Sequence, residues 1–484
     1  MEFSEIQKDT PMIKSNNESQ PRALGLFGLT MINIVAIASL RDLPQMATYG
    51  IGSIFFYLLA ALIFFVPVSL VSAELATAWP ERGGVYVWIR EAFGETWGFI
   101  AVFLQWFQNL CWFPVVLTFG AASLAFAILP EGGRELSESK AYVVSVVLVT
   151  YWIAVLLNFR GLSGSSLISI IGALMGVLVP GLLLVGLAGL GIIQGIPSSL
   201  LENGDRWIPD MTEFSNVTFA VSVWLAFAGM EMTAAHAREV RSPGRNYPIG
   251  TLVSALVIFT VFTLGSLSIA TALSPGQYNL QSGVTEALKL MLGRYGLDEL
   301  ARVIALGMAV GVFGSVNAWI LGPSKGLLAA AEDGALPSFF TRVNRKNVPT
   351  RILLMQALVV SLICVAFTLQ PTVTSAYFMI SVLTIQIYLC MYLIMFAAAW
   401  RLRKLHPEKK GTFRVPGGKP GLFVVCFIGG SGALFAIALG FFPPIQLRET
   451  GIDPTAFITF LGVGLVGSFC LPLLISRVLK RQRQ

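Results

Sequence analysis

Charged side chains interrupt two of the long apolar stretches of this chain. Arg41 and Asp42 lie in the first stretch, shortly before Pro44, and Glu231 lies two residues after Gly229 in the sixth. A charge inside a bilayer costs roughly 3 kcal/mol on insertion scales, so such residues normally face protein or water and indicate a functional site. Mutual neutralisation, or a place near the interface reached by snorkelling, is the alternative interpretation for Arg41 and Asp42.

Both stretches also carry the signals of an interrupted helix. Pro44 is expected to break or kink the first one, because proline lacks an amide donor and clashes with the preceding turn. Gly229, followed two residues later by Glu231, indicates an unwound point in the sixth stretch. Amides at the start of a half-helix can hold a carboxylate, and carbonyls at the end of one can hold an ammonium group or a cation. Paired interruptions therefore predict a binding site near the middle of the membrane.

Polar residues on two other apolar stretches could complete that site. Asn109 and Trp112 are three residues apart, and Ser315 and Trp319 are four apart, so each pair shares one face of a helix. Trp319 can wall a pocket or stack on a cationic group, although filling the core is the commoner role of a single tryptophan. Helix–helix hydrogen bonding is the first interpretation for each remaining intramembrane polar group taken singly. Those groups are Glu74, Gln105, Gln108, Asn158, Asn317 and Gln386.

The elements that must position these residues are long apolar helices. Of the 484 residues, 55% are hydrophobic and 12% are charged, and the mean hydropathy is +0.75. Backbone groups in lipid must bond within their own segment, which favours helices over open strands. Segments that reach the roughly 20 residues needed to cross a bilayer are 24–49, 53–79, 97–129, 141–159, 166–194, 215–237, 248–273, 299–332, 351–369, 374–402, 421–443 and 455–479.

The basic residues are distributed unevenly among the loops. With the N-terminus inside, 25 of the 33 Lys and Arg residues lie on the cytoplasmic side and seven on the other. This bias predicts an even number of helices with both termini in the cytoplasm. The net charge of +7 is therefore interpreted as a consequence of topology, and no nucleic-acid partner is expected.

The sequence does not favour an enzyme. It contains no Walker A loop, no GxSxG and no HExxH motif, and its two histidines cannot form a conventional zinc site. Its five cysteines all lie in apolar stretches and are interpreted as small buried side chains. No cofactor is expected. Without a nucleotide-binding domain, transport of a solute would be driven by a solute or ion gradient.

Three segments together resemble signatures of the amino acid–polyamine–organocation (APC) transporters. They are residues 73–88 (AELATAWPERGGVYVW), residues 227–231 (FAGME) with 241–248 (RSPGRNYP), and residues 319–326 (WILGPSKG) with 332–337 (EDGALP). The resemblance covers nearly the whole chain. Within the superfamily, residues 235–248, 320–324 and 413–419 (FRVPGGK) look most similar to the glutamate:γ-aminobutyrate antiporter branch.

The resemblance implies an all-α, LeuT-like fold with about 12 transmembrane helices, a five-plus-five inverted repeat and broken helices 1 and 6. The implied parts are a cytoplasmic tail (1–23), a first repeat (24–194), a second repeat (215–402), two further helices (421–479) and a short cytoplasmic tail (480–484). It also implies alternating access in the plasma membrane, here a bacterial inner membrane.

The resemblance also assigns roles to individual residues. The backbone of the substrate would meet the unwound points of helices 1 and 6. Asn109 would be a polar contact on the third helix, Trp319 would close over the substrate, and Glu231 would gate or couple protons. The residues implied or proposed to bind substrate are Ala36, Ala38, Ser39, Arg41, Asp42, Asn109, Trp112, Phe227, Ala228, Gly229, Ser315 and Trp319.

The substrate and the mode of coupling stay open at this stage. The glutamate branch tends to have an acid where Ser315 stands, and an aromatic–acid pair where Arg41 and Asp42 stand. Arg41 would suit an acidic side chain and Asp42 a basic one, and exchange and proton symport are both open, as is the oligomeric state. A nutrient receptor on the same scaffold is the rival from another class; an added cytoplasmic domain or long tail, neither seen in this sequence, would indicate it. An ion channel would need a continuous polar pore.

Overall fold

The structure is a computed structural model that describes residues 25–37, 39–80, 83–160, 172, 174–203, 206–232, 241–445 and 453–483. Within these ranges every regular element is a helix, which confirms the all-α prediction. In chain order the helices are α1 (Leu26–Ile37), α2 (Leu43–Ala47), α3 (Gly50–Ala78), α4 (Val85–Phe93), α5 (Glu95–Ile128), α6 (Gly133–Glu138), α7 (Lys140–Phe159), α8 (Leu174–Ile193), α9 (Val221–Ala226), α10 (Pro243–Ala272), α11 (Gly283–Gly293), α12 (Asp298–Glu332), α13 (Thr350–Thr368), α14 (Val373–Leu405), α15 (Gly418–Leu439) and α16 (Pro454–Arg483).

Ten helices of the described chain are long and apolar enough to cross a bilayer. They are α3, α5, α7, α8, α10 and α12 to α16, and their ends agree with ten of the predicted segments to within a few residues wherever the chain is described. Within the most apolar 18 residues of each helix, 89% are buried against the rest of the protein in α14, whereas only 17% are buried in α16. We conclude that α14 lies at the centre of the bundle and α16 at its periphery.

The first predicted segment is divided into short helices, but not where proline suggested. Helix α1 ends at Ile37, and Ser39 has an extended backbone (φ −144°, ψ 133°). Pro44 lies in the first turn of α2. Amides in a first helical turn have no partner within the helix, so a proline there loses no hydrogen bond. The break expected at Pro44 therefore precedes it, and Pro44 starts the second piece.

The sixth predicted segment is interrupted at the expected place. Helix α9 ends at Ala226, residues 227–229 are not helical, and a 3-10 turn begins at Met230. Gly229 has φ +116°, a backbone conformation that is strained for any residue with a β-carbon. Residues 233–240, the end of this predicted segment, lie outside the described ranges.

A hydrogen-bond junction around Gln356 of α13 links four long helices. Its Oε1 accepts from Trp106 of α5 and from Ser324 of α12, each at 3.0 Å. Its Nε2 donates to Tyr151 of α7 at 2.9 Å. Because every one of these polar atoms is bonded, the junction fixes the mutual rotation of the four helices without leaving a buried group unpaired.

Two long helices approach closely because both contribute glycine. A β-carbon placed on Gly311 of α12 would lie only 2.3 Å from the Cα of Gly176 in α8. Small residues allow this kind of backbone contact between membrane helices.

Three short helices, α4, α6 and α11, occupy regions between the segments that the sequence predicted. Helix α4 is tied to the end of α12, because Asp333 accepts hydrogen bonds from Tyr86 at 2.7 Å and from Arg90 at 2.5 Å. Beside it, Glu74 at the end of α3 forms a buried ion pair with Arg403 of α14 and accepts from the amide of Val415 at 2.8 Å.

The expectation that all five cysteines are buried is wrong for one of them. Cys111, Cys364, Cys390 and Cys426 are buried, whereas Cys470 is exposed on the peripheral helix α16. An apolar stretch predicts a membrane span, but it does not say which face of that span is turned toward lipid.

Candidate functional site

Gly229 lies where three interrupted or long helices meet. A β-carbon built on it would be 3.5 Å from the indole of Trp319 and 3.7 Å from Ile37, the last residue of α1. The preceding Phe227 stacks on Phe65 of α3 with ring centres 4.9 Å apart. The unwound backbone of the sixth segment is therefore adjacent to the break in the first segment, and Trp319 packs against it at Gly229.

The carboxylate of Glu231 is held by three side chains from two helices. Gln105 of α5 donates to Oε1 at 3.1 Å, and Tyr388 and Tyr392 of α14 donate to Oε1 and Oε2 respectively. Glu231 is almost completely buried. Its position is therefore coupled directly to α5 and α14, the two helices against which the unwound segment lies.

Tyr392 also contacts the backbone amide of Gly229 in the unwound segment. The N–H of Gly229 donates to its hydroxyl oxygen at 2.7 Å, while the hydroxyl hydrogen goes to Glu231. The described structure thus contains a relay from the Gly229 amide through Tyr392 to Glu231. A ligand carboxylate that bound this amide would have to displace the phenolic oxygen.

Trp112 and Trp319 form an aromatic wall next to Gly229. Their ring centres are 5.8 Å apart with the planes at 48°. Asn109, one turn before Trp112, is buried and donates its amide to the carbonyl of Gln105 at 2.9 Å. Ser315 is partly buried one turn before Trp319. The two helix faces predicted from spacing therefore do meet, through their tryptophans.

Arg41 and Asp42 pair with each other. The guanidinium Nε lies 3.1 Å from Oδ1 and Nη2 lies 2.9 Å from Oδ2, with both side chains buried. Adjacent residues do not face each other on a regular α-helix, but these two lie in the 3-10 turn Leu40–Asp42. Nη1 of Arg41 is buried and has no hydrogen-bond partner among the described residues, so one donor group of this pair remains available.

The other proposed contacts at the first break are only partly described. Ser39 begins the 3-10 turn, and its hydroxyl accepts from the Arg41 amide at 3.4 Å. Ala36 belongs to the last turn of α1, but its side chain, like the whole of Ala38, lies outside what the structure describes. In the sixth segment, Ala228 is buried between Phe227 and Gly229.

Sequence reasoning missed the two tyrosines that hold Glu231. Tyr388 and Tyr392 are four residues apart in an apolar stretch, so their shared helix face was readable from the sequence. It was overlooked because a tyrosine is usual at such positions, whereas a charge is not. Gln105 was assigned to helix packing, and only the folded chain brings it to the acid 126 residues later.

Comparison with known proteins places the chain among transporters. The sequence profile of a family described as amino acid permeases matches residues 24–466. An uncharacterized transporter of Legionella pneumophila is 38% identical over 456 residues, which cover 94% of this chain and 97% of that protein. A glutamate/γ-aminobutyrate antiporter of Lactococcus lactis is 28% identical and covers 94% of this chain and 90% of its own length. A probable agmatine/putrescine antiporter of the same species is 23% identical, with 83% and 84% covered.

Proposed function

The chain belongs to the amino acid permease family, and on this premise we propose that it carries its solute by alternating access through the region around Gly229. The family and its antiporter relatives are transporters of amino acids or amines and are not enzymes. With ten apolar helices and bacterial relatives, the chain is a multi-pass protein of the bacterial plasma membrane.

The observation that carries the proposal is the contact between the two interrupted segments. A β-carbon built on Gly229 would be in van der Waals contact with both Ile37, the last residue of α1, and the indole of Trp319. Unwound backbone at membrane depth is tolerated where it is enclosed by protein or lines a cavity. Here it offers an amide to a carboxylate and, at the end of α1, carbonyls to an ammonium group.

We propose the following roles for the surrounding side chains. Trp112 and Trp319 close over the solute, and Asn109 and Ser315 lie one turn away from them on the same helices. Arg41, through its free Nη1, and Asp42 select the side chain of the solute. The backbone at Ala36, Ala38, Ser39, Phe227, Ala228 and Gly229 holds its amino and carboxylate groups.

A five-plus-five inverted repeat is supported by the order of elements. In residues 24–194, an interrupted segment is followed by a long helix (α3), a short one (α4) and three long ones, with the six-residue α6 between the first two of the three. In residues 215–402, the interrupted segment around α9 is followed by α10, the short α11 and again three long helices. Helices α15 and α16 would be the two additional ones, and the loop charges favour both termini in the cytoplasm.

The substrate proposal has two branches. Glutamate/γ-aminobutyrate exchange is favoured by the relative of that name and by the free donor of Arg41. A cationic amine is favoured by the agmatine/putrescine relative, but Asp42 already has Arg41 as its partner. We therefore place the acidic or zwitterionic amino acid first.

Transport assays in proteoliposomes test the proposal. Vesicles are loaded with unlabelled glutamate, γ-aminobutyrate, arginine or putrescine, and uptake of the radiolabelled compounds is followed at pH 5.5 and 7.5. We expect uptake that depends on internal substrate, with glutamate and γ-aminobutyrate as the active pair. Uptake into empty vesicles driven by a proton gradient would assign symport instead. Binding without uptake of any compound would favour a receptor and overturn the proposal.

The proposed role of Glu231 has its own test. Replacing Glu231 by Gln keeps one acceptor oxygen, which Gln105 and Tyr388 share in the wild type. It replaces the oxygen that accepts from Tyr392 by an amide donor and removes the titrating group. We expect the pH dependence of uptake to flatten between pH 5.5 and 7.5, while a Glu299→Gln control on the exposed start of α12 keeps the wild-type profile. An unchanged profile in Glu231→Gln would refute proton coupling or gating by this residue.

A further inference from the structure

A second candidate site lies in a groove between α6 and α11, away from Gly229. Its volume is about 570 Å³, within the range of small-molecule sites. Glu286, Lys289 and Gly293 of α11 line one wall, and Phe126 and Arg134 from the end of α5 and from α6 line the other. In the proposed orientation the groove opens on the outer face.

Glu286 is a largely buried acid, and one of its two carboxylate oxygens has no hydrogen-bond donor in the described part of the chain. Its Oε1 accepts from the hydroxyl of Ser282 and from the amide of Asn279. The nearest cation to Oε2 is Nη1 of Arg134 at 3.8 Å, beyond hydrogen-bond distance. No donor among the described residues hydrogen-bonds to Oε2, although only 9% of the side chain is exposed. Burial raises the pKa of Glu286, as expected for a carboxyl group short of compensating partners.

The far end of the groove carries positive charge. Arg294, exposed after the last turn of α11, pairs with no acid in the described part of the chain, whereas Lys289 contacts the Pro130 carbonyl at 2.8 Å and Glu131 at 3.1 Å. Eight residues separate Glu286 from Arg294, about 12 Å along the helix axis, and an arginine side chain is long enough to span part of that distance. The groove thus has the carboxylate of Glu286, with Arg134 3.8 Å away, toward one end and the guanidinium of Arg294 at the other.

We propose that this groove binds a small zwitterion, with its ammonium group at Oε2 of Glu286 and its acid group at Arg294. Phe126, Leu273 and Leu290 line the groove between them and would cover apolar methylene groups. The spacing favours an amino acid whose opposite charges are several bonds apart. That this ligand is also a transported solute rests on the proposed function, but its binding does not.

The same pair of charges occurs in a free amino acid and in a phosphoethanolamine lipid headgroup. We assign the free amino acid, because the charged ends lie along an open groove beside α11 and not among the lipid-facing side chains of a span. The two sources differ in an experiment that offers each as a soluble probe.

Thiol labelling of the purified full-length protein in detergent measures this binding. Leu290 lines the groove and is 40% exposed, so a Leu290→Cys variant should react with a charged maleimide. The probes are γ-aminobutyrate, glutamate, putrescine and glycerophosphoethanolamine. We expect γ-aminobutyrate and glutamate to slow labelling at least threefold and putrescine, which lacks an acid group, to have no effect. A Leu300→Cys control, outside the groove with 38% exposure, should label at one rate throughout.

Second-site variants identify the groups involved. Glu286→Gln and Arg294→Ala, each combined with Leu290→Cys, should abolish protection by γ-aminobutyrate, and the exposed position of Arg294 makes that variant informative if the Gln variant does not fold. Protection that survives both changes, or no protection by any zwitterion, would overturn the proposal. Protection by glycerophosphoethanolamine alone would assign a lipid headgroup and overturn the free amino acid.

A Trp319→Ala variant, which removes a side chain proposed to close over the solute at the central site, distinguishes that site from the groove. We expect Leu290→Cys to remain protected in that background. Loss of protection would show that labelling reports on the central site and would refute the groove. Conversely, a chain that shows protection but transports none of the compounds would refute the proposed function and leave the groove site intact.

Discussion

Tyr392 accepts a hydrogen bond from a backbone amide that the proposed site offers to a carboxylate. Its oxygen accepts from Gly229 at 2.7 Å, and a substrate carboxylate must compete with it. Removing the hydroxyl in Tyr392→Phe frees the amide. A neutral hydrogen bond contributes about 0.5–1.5 kcal/mol, so we expect the KM of uptake to fall about three- to tenfold.

Tyr388→Phe is the matched control for that prediction. It removes one hydrogen bond to Glu231, as Tyr392→Phe does, but it leaves the Gly229 amide bonded to Tyr392. We expect its KM to stay near the wild-type value or to rise. Equal KM values in the two variants would mean that Tyr392 does not compete with the substrate.

The buried acid Glu286 predicts how the stability of the outer groove depends on pH. Because burial raises its pKa in the folded state, the folded protein binds this proton more tightly than the unfolded chain. The cost of the buried charge is thus fully present above the folded pKa and disappears as pH falls toward the unfolded value. The groups facing this carboxyl are Arg134 and Glu138 of α6, Tyr278 before α11, and Ser282 and Asn279.

Glu286→Gln, which is neutral at every pH, should therefore be more stable than the wild type at pH 8. We expect a rise of roughly 1–3 °C in Tm, shrinking as the pH is lowered to 5, in thermal unfolding of the detergent-solubilised protein. Glu299→Gln, at an exposed acid paired with Arg302, serves as the control without such a trend. A lower Tm at pH 8 would show that attraction by Arg134 outweighs desolvation.

At the scale of residues, the sequence identified the site residues that are rare in apolar spans and missed those that are common there. Glu231, Gly229 and the Arg41–Asp42 pair stood out because charge and backbone freedom are rare in apolar spans. Tyr388, Tyr392 and Gln356 are ordinary membrane residues, and their importance comes from partners 100 or more residues away. Pairing of that kind has no local pattern, so only the folded structure reveals it.

Spans were easier to predict at the scale of elements than the short helices between them. A bilayer imposes length and hydrophobicity on α3, α5 and the other long helices, so their bounds follow from composition. Helices α4 and α11 are short and carry charges, and tertiary contacts such as those of Tyr86 and Arg90 hold them in place. Pro44 shows the same limit. Proline occurs both at kinks within helices and in the first turn of a helix, and the sequence alone does not tell these two positions apart.

The Gln356 junction gives a prediction at the scale of elements. Gln356→Leu removes the side-chain amide that hydrogen-bonds to Trp106, Ser324 and Tyr151 on three other helices. Unsatisfied buried groups cost about 1–3 kcal/mol each, so we expect a clear fall in Tm with transport lost in proportion to folded protein. Leu362→Ala, on the exposed side of the same helix, should change Tm little. An unchanged Tm in Gln356→Leu would mean that helix packing alone aligns the four helices.

At the scale of the whole molecule, side-chain contacts connect the two proposed repeats on both sides of the membrane. Asp333 after α12 accepts from Tyr86 and Arg90 of α4, and Arg134 of α6 lies near Glu286 of α11. The first contact joins the short helix α4 of the first repeat to the end of α12 in the second. The second joins the short helix α11 of the second repeat to α6, which follows α5 in the first. Alternating access would therefore require one of them to loosen while the other stays closed.

Weakening the contact at Asp333 should make opening on its side of the membrane more frequent. Asp333→Ala removes both hydrogen bonds, and because the ion pair is partly exposed it contributes under about 1 kcal/mol, with a similar share from Tyr86. We expect opening on the side of α4, the cytoplasmic side in the proposed orientation, to become about two- to tenfold more frequent. A Met232→Cys reporter beside Gln105 should then react that much faster with an impermeant maleimide. Glu332→Ala, at the neighbouring exposed acid, should leave the rate unchanged. High salt should bring the wild type closer to the variant, since it screens exposed pairs; equal rates in all three proteins would mean that this contact does not restrain opening.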